Sequence, residues 1–324
     1  MIQAENLYRT FARYKHDPGL KGTIKNFFHR QKETVEAVDH VSFHIQAGEF
    51  IGYIGPNGAG KSTTIKMLTG ILTPTSGTVT VDGRDPVKYR IQNAQIIGTV
   101  FGQRSQLWWD LPIMDTYLLF KHMYKIDTNK FNVRVEMLKE LLELTEFWDA
   151  PVRQLSLGQR MRGELGAALI HNPKILFLDE PTIGMDVVVK EQIKKFLKRV
   201  NDEHKITILL TTHDLKDVED LCSRSILINK GKVLFDGLLA DMRNNSTART
   251  RIDLVLDKAV QAAPGPVSDF MEIDEVRDKQ ISALFLREKY TPIQVIEHFS
   301  SFGTVVDVRL TEPPIEEVIA DYYR

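Results

Sequence analysis

Residues 50–62 read Phe50-Ile51-Gly52-Tyr53-Ile54-Gly55-Pro56-Asn57-Gly58-Ala59-Gly60-Lys61-Ser62: an apolar run that breaks into a glycine-rich loop and ends on Lys-Ser. Phe50 to Ile54 has the length and composition of a buried strand, and the apolar spacing from Ser62 to Leu72 predicts a helix directly after the loop. Strand, glycine loop and helix in that order are the context that gives a GxxxxGK[ST] pattern its meaning. The glycines let backbone N–H groups turn inward around a β-phosphate, and the helix N-terminus adds partial positive charge. Lys61 then places a point charge on the β and γ oxygens, and Ser62, followed by Thr63, supplies a hydroxyl to Mg²⁺.

Outward from this loop, apolar runs at Ile175 to Leu178 and Ile206 to Leu210 alternate with helical periodicity in Gly158 to Ile170 and Val187 to Val200. Such alternation predicts an α/β core on a parallel sheet. The glycine-containing turn at Asn229 to Lys232, between Ser225–Ile228 and Val233–Phe235, predicts a closing hairpin. The run at Ile175 ends in Asp179-Glu180, and a buried strand would deliver both acids rigidly to the floor of the phosphate site. Asp179 is expected to hold the Mg²⁺ shell through water. Glu180 would face the γ-phosphate and orient and deprotonate the attacking water.

Beyond residue 243 the texture changes. Residues 244–250 are polar and read as a linker, and 251–324 read as a small α+β domain. Its expected strands are Ile252–Leu256, Phe270–Val276, Ile281–Arg287 and Val305–Leu310, its helices Pro292–Phe299 and Pro314–Tyr322, and Ala262 to Pro266 a surface loop. No nucleophile constellation or metal spacing occurs there, so a second enzyme is not expected. With 42 basic against 43 acidic side chains the 324-residue chain has no global field for gripping nucleic acid. The only cysteine, Cys222, excludes an internal disulfide and points to the reducing cytosol. No apolar stretch approaches the roughly 18–20 residues of a membrane span.

Leu155-Ser156-Leu157-Gly158-Gln159, followed by a helical run to Ile170, resembles the signature motif of ATP-binding cassette (ABC) proteins. The resemblance covers roughly residues 1–240 and includes Gln103, the segment Pro181 to Asp186 and His213, in the family order. It implies a P-loop ABC ATPase core: a parallel sheet, an antiparallel β subdomain and a helical subdomain carrying the signature, within residues 1–243. It further implies that Gln103 contacts Mg²⁺ and water, that Asp186 belongs to the loop after the catalytic acid, and that His213 contacts the γ-phosphate. Phe11 stands where the family stacks an aromatic on adenine, the bland alternative being strand-end packing. Ser156, Gly158 and Gln159 would meet the ATP of a second cassette, so two chains, most simply a homodimer, would make each complete site. Leu157 departs from the pattern, standing where a glycine is expected and removing some backbone freedom.

Two features are peculiar to this chain. About 20 extra residues, 12–33, follow Phe11; they are basic, with Leu20, Ile24, Phe27 and Phe28 at helical spacing, which predicts an amphipathic segment against the membrane interface or against its own domain. Trp108 and Trp109 are adjacent, so regular structure cannot bury both in one core. In transporters of the family this region receives the permease. The run from Gly102 to Pro112 resembles the exporter branch whose permeases are separate chains, including viologen, drug and sodium exporters. The expected activity is ATP hydrolysis that drives an exporter from the inner face of the membrane. A soluble cassette ATPase acting on ribosomes or DNA is the rival; such relatives commonly carry two cassettes or a coiled-coil insertion, and neither is present.

Overall fold

The computed structural model describes residues 1–14, 32–102, 105–260 and 271–323, and divides the chain into two compact units, Met1–Asp236 and Gly237–Arg324. In the first unit β1 (Ile2–Tyr14) pairs antiparallel with β2 (Lys32–Ile45) and with β4 (Ser76–Val81). The second sheet has the order β5-β6-β7-β3-β8-β9. Its members are β3 (Phe50–Ile54), β5 (Ile97–Phe101), β6 (Ile175–Asp179), β7 (Thr207–Thr211), β8 (Arg224–Asn229) and β9 (Lys232–Leu238). The ladders joining β5, β6, β7, β3 and β8 are all parallel. Every residue of β3 and β7 is buried, as continuous apolar strands covered on both faces should be. One apolar core joins the two sheets, with Ile2, Leu7 and Val41 from the first and Tyr53, Phe177 and Leu209 from the second.

Parallel pairing has a functional consequence: the C-terminal ends of neighbouring strands coincide, and open α/β sheets bind ligands at that edge. Asp179 at the end of β6 is level with Thr211 at the end of β7, and β3 delivers the glycine loop beside them. The helix after that loop, α1 (Lys61–Leu68), is shorter than the predicted Ser62–Leu72. Gly70 follows its C-cap at φ 75°, and a Cβ there would meet the Pro86 carbonyl oxygen at 2.2 Å, so the chain turns away where only glycine fits. Between β8 and β9, Lys230 and Gly231 both have positive φ, the two-residue turn whose twist suits a hairpin.

The insertion after Phe11 starts and ends as strand. Phe11 to Tyr14 pair with Val35 to Lys32, so the two ends prolong the β1–β2 hairpin rather than opening a helix; the amphipathic segment itself falls mainly on residues 15–31, outside the described residues.

The second unit is a four-stranded antiparallel sheet of order β11-β12-β10-β13, made of β10 (Thr250–Leu256), β11 (Met271–Arg277), β12 (Gln280–Phe285) and β13 (Val305–Thr311). Its core sets Ile252, Leu254, Ile281 and Phe285 against Val295 and Phe299 of the helix Pro292–Phe299. The surface loop expected at Ala262 to Pro266 lies outside the described residues. Residues 244–250 are not a free linker. Asp321 accepts hydrogen bonds from the Thr247 N–H and hydroxyl (2.5 and 2.6 Å) and from the Ser246 hydroxyl (3.3 Å), and Thr250 already belongs to β10. The preceding helix Leu239–Asn244 is held in the same unit, its Met242 carbonyl accepting from the Tyr322 hydroxyl at 3.2 Å. The two compact units divide between Asp236 and Gly237, so this helix and residues 244–250 lie within the second unit.

Candidate functional site

The glycine loop ends at Gly60, φ 106°, where a Cβ would strike the Ala37 carbonyl oxygen at 2.3 Å. That turn aims the N-terminus of α1 into a cleft of about 730 Å³ lined by Asn57, Gly58, Ala59, Gly60, Lys61, Ser62 and Thr63 on one side and Asp179, Glu180 and His213 on the other. Lys61 is buried to 7 % exposure, and its Nζ donates to the carbonyl oxygens of Gly55 (2.6 Å) and Pro56 (3.2 Å). Desolvation pulls its pKa below the ordinary lysine range, while the nearby Glu180 and Asp179 charges push it back. Gly55 and Pro56 thus stand behind the cleft and orient the lysine whose charge belongs in it.

Across from Lys61, the Ser62 hydroxyl donates to Asp179 Oδ2 at 3.0 Å, and the Thr211 hydroxyl donates to the other carboxylate oxygen. Ser62 and Asp179 give a hydroxyl and a carboxylate together, an all-oxygen donor set that suits a hard cation such as Mg²⁺ completed by phosphate oxygens and water. Glu180 has φ 55°, unusual outside glycine, with its N–H held by the Thr211 carbonyl at 2.9 Å. Strain of this kind costs of order 1–3 kcal/mol and concentrates at functional sites. It turns the carboxylate toward His213, whose Nδ1 lies 3.4 Å from Glu180 Oε1.

The remaining predicted residues lie elsewhere. Gln103 is outside the described residues, although Phe101 and Gly102 just before it line the cleft. Phe11 is 40 % exposed on the hairpin, with the Arg9 guanidinium 4.8 Å over its ring, and is not among the residues lining the cleft. Ser156 is the N-cap of α5 (Leu157–Leu169; α2 to α4 are Arg90–Ala94, Ile113–Met123 and Thr128–Leu141). Its hydroxyl accepts from the Gln159 N–H (3.2 Å), and the Gln159 side chain accepts from the Ser156 N–H (2.9 Å), a reciprocal capping box. Gln159 is therefore occupied in holding the helix end. Leu157 is the first helical residue, half-exposed and free of the positive φ that would demand glycine, which explains its tolerance. Asp186 caps α6 (Val187–His204) by accepting from Val189 N–H at 3.0 Å. Gly158 packs on that helix, since a Cβ there would meet Val189 at 2.7 Å.

Three supporting groups escaped the sequence reading. Glu164, buried in the middle of α5, accepts from the backbone N–H of Gln106 (3.0 Å) and from the Ser105 hydroxyl, so it ties the signature helix to the loop that carries the tryptophans. Burial pushes its pKa up and those hydrogen bonds oppose the shift. A lone acid inside the small and apolar run Gly163–Ile170 was the available signal. Thr211 anchors Asp179. Asp217, also buried, accepts from the Thr182 hydroxyl at 2.7 Å, and Lys190 bonds Asp214 at 2.8 Å, which together fix the segment bearing His213 against the one that follows Glu180. On the outer side of the tryptophan loop, Trp108 and Trp109 are each 54 % exposed; Arg160 of α5 lies 5.8 Å from the Trp109 ring.

The family model for the ABC transporter matches residues 38–183, the stretch holding the glycine loop, signature and paired acids. The ABC transporter ATP-binding protein NatA of Bacillus subtilis is 32 % identical over 72 % of this chain and 95 % of its own length. The chain belongs to the ATP-binding subunits of ABC transporters. As such it is an ATPase. The dimeric cassette MJ0796, solved in a post-hydrolysis state with ADP and Pi, superposes with TM-score 0.61 at 27 % identity, covering 74 % of this chain and 99 % of that one. Other similar cassettes work in opposite directions. The Nod factor export ATP-binding protein I of Burkholderia thailandensis is 38 % identical over 62 % of this chain and 65 % of its own length. A probable sulfate/thiosulfate import protein, CysA, of Chlorella vulgaris is 32 % identical over 65 % and 89 %. No helix among the described residues is long and apolar enough to cross a membrane.

Proposed function

We propose that two copies of this cassette close head to tail on ATP and drive export through permease chains separate from this one. The observation that carries the reading is the division of labour within the chain. Lys61, Ser62, Asp179, Glu180 and His213 meet in one cleft, whereas Ser156, Gly158 and Asp186 lie outside it. In this reading Lys61 and the α1 N-terminus hold the phosphates, and Ser62, Gln103 and, through water, Asp179 would hold Mg²⁺, which would supply charge neutralisation for the phosphates. Glu180 orients and deprotonates the attacking water, and His213 supports that geometry from 3.4 Å while facing the γ-phosphate. Ser156 and the positive end of α5 complete the partner's site. ATP favours closure because it meets both surfaces only in the closed pair.

Two exposed adjacent tryptophans support permease docking at Trp108–Trp109, since indoles are favoured interface anchors. Their loop is tied through Glu164 to the signature helix, so closure and permease movement share one rigid part. Export is supported by the exporter among the relatives and by the resemblance of the Gly102 to Pro112 run. The basic segment within 12–33 is assigned to the inner membrane face or the permease edge, and the second unit to an accessory role beside the cassette. The test is Glu180→Gln with excess ATP: light scattering should report a stable dimer and released phosphate should fall at least about 100-fold. A variant that stays monomeric would remove the sandwich.

A further inference from the structure

Strand β13 closes one edge of the second unit's sheet and, among the described residues, pairs only with β10. Val308 and Leu310 lie directly opposite Leu254 and Ile252, so they project on the face that holds the core. Yet they are 38 % and 41 % exposed, and Val306 is 67 % exposed, whereas Leu254 and Ile252 are fully buried. The apolar face runs off the edge of the sheet. The Leu256 N–H bonds the Lys279 carbonyl on the β12 side, so by alternation Leu254 also faces β12 and Val308, opposite it, turns its backbone to the open side, where its N–H meets the Asp307 carboxylate at 2.8 Å. By the alternation of an antiparallel ladder, the backbone groups of Leu310, opposite Ile252, point the same way.

The strand reads Val306-Asp307-Val308-Arg309-Leu310, and about Val308 its chemistry is symmetric. Turned by a two-fold axis through Val308, a second such strand would set Asp307 against Arg309 twice, with Leu310 of each copy reaching toward the apolar Val306 end of the other. The two Val308 residues would then exchange both backbone hydrogen bonds. An exposed apolar edge strand invites pairing, and opposite charges set directly across from one another select which partner is accepted. A self-complementary patch is the signature of an isologous contact.

We infer that β13 pairs antiparallel with β13 of a second copy of this chain, without nucleotide, making a contact separate from the ATP-dependent one. The register skips Val306 between Asp307 and Val305, which limits the regular stretch of β13 to Asp307–Thr311, so the contact is short and depends on concentration. On pairing, the Val308 N–H passes from Asp307 to the Val308 carbonyl of the other copy, and the freed carboxylate meets Arg309. Its effect is to keep two cassettes at high local concentration between closures.

The test uses the full chain without ATP. Directly opposed residues in a hydrogen-bonded pair have Cα atoms about 5.5 Å apart, within disulfide reach. Val308→Cys should therefore give a covalent dimer on mild oxidation. Val306→Cys, which the two-fold axis sets away from its own copy, should not, and neither should the unaltered chain, whose single Cys222 is buried. Asp307→Arg and Arg309→Asp, each alone, should weaken the nucleotide-free dimer by about tenfold in sedimentation, and an equimolar mixture of the two should recover it. Recovery in the mixture also shows that both variants fold. The pairing is overturned if Val308→Cys fails to cross-link, if Val306→Cys cross-links equally, or if the mixture is no better than its components. These outcomes leave the Glu180→Gln test of the cassette dimer untouched.

Discussion

The nucleotide cleft and the signature corner use similar parts, a helix N-terminus with glycine and a hydroxyl, and wire them differently. In the cleft the side chains converge: Lys61, Ser62 and Asp179 bond their neighbours so that charge of both signs faces one volume. At the signature corner the polar groups turn to their own helices, Ser156 and Gln159 to α5 and Asp186 to α6. The first arrangement can hold a ligand within one chain. The second only presents a helix end outward. The contrast is what the proposed head-to-tail pair asks of one polypeptide that bears every motif of the reaction.

The largest effect should come from breaking the cleft itself. Lys61→Ala removes the buried ammonium at the end of the glycine loop, and released phosphate should fall at least about 100-fold with weakened ATP binding. Fluorescent-nucleotide titration beside a phosphate assay measures both. Hydrolysis at near-normal rate would mean the cleft is not where the reaction occurs.

A smaller effect should follow from loosening the joint between the two regions. His171, just past the end of α5, bonds the Ile97 carbonyl of β5 at 2.9 Å, stacks 4.0 Å from Tyr124, and keeps Nδ1 buried without a partner. Burial holds its pKa down to about 4, against 6.5 for an ordinary histidine. The unfolded chain therefore binds more protons between those values, so stability is full above the unfolded pKa and is lost as pH falls toward the folded one. Between pH 7 and pH 5 the loss is about 2 kcal/mol. Urea midpoints should fall over that interval in the natural chain and fall less in His171→Gln. Equal pH dependence in the two would show that His171 is not the group responsible.

What could be read in advance divides along the same line. The cleft was legible because its parts are local: a strand runs straight into the glycine loop, and another runs straight into Asp179-Glu180. Groups that depend on distant partners were not. Glu164 meets Gln106 across 58 residues, and Thr211 meets Asp179 across 32. Residues 244–250 have the composition of a linker, and only the fold brings Asp321 to Thr247 from 74 positions away. Phe11 differs again: its place in the motif order was clear from sequence, whereas the Arg9 guanidinium 4.8 Å over its half-exposed ring appears only in the fold.

The smallest effect, and the sharpest on the comparison, is expected at Ser156. Replacing it by Ala removes the acceptor for the Gln159 N–H and should cost about 1 kcal/mol of stability. Threonine also caps, so Ser156→Thr should recover the melting temperature. Because Ser156 does not line the cleft, ATP affinity of the isolated chain should stay within about twofold in both variants. Turnover should fall about tenfold in the Ala variant, the loss of one hydrogen bond to a charged phosphate across the closed pair. If Ser156→Ala instead lost ATP binding in the monomer, the signature would belong to the cleft of its own chain, and the separation between the two regions would fail.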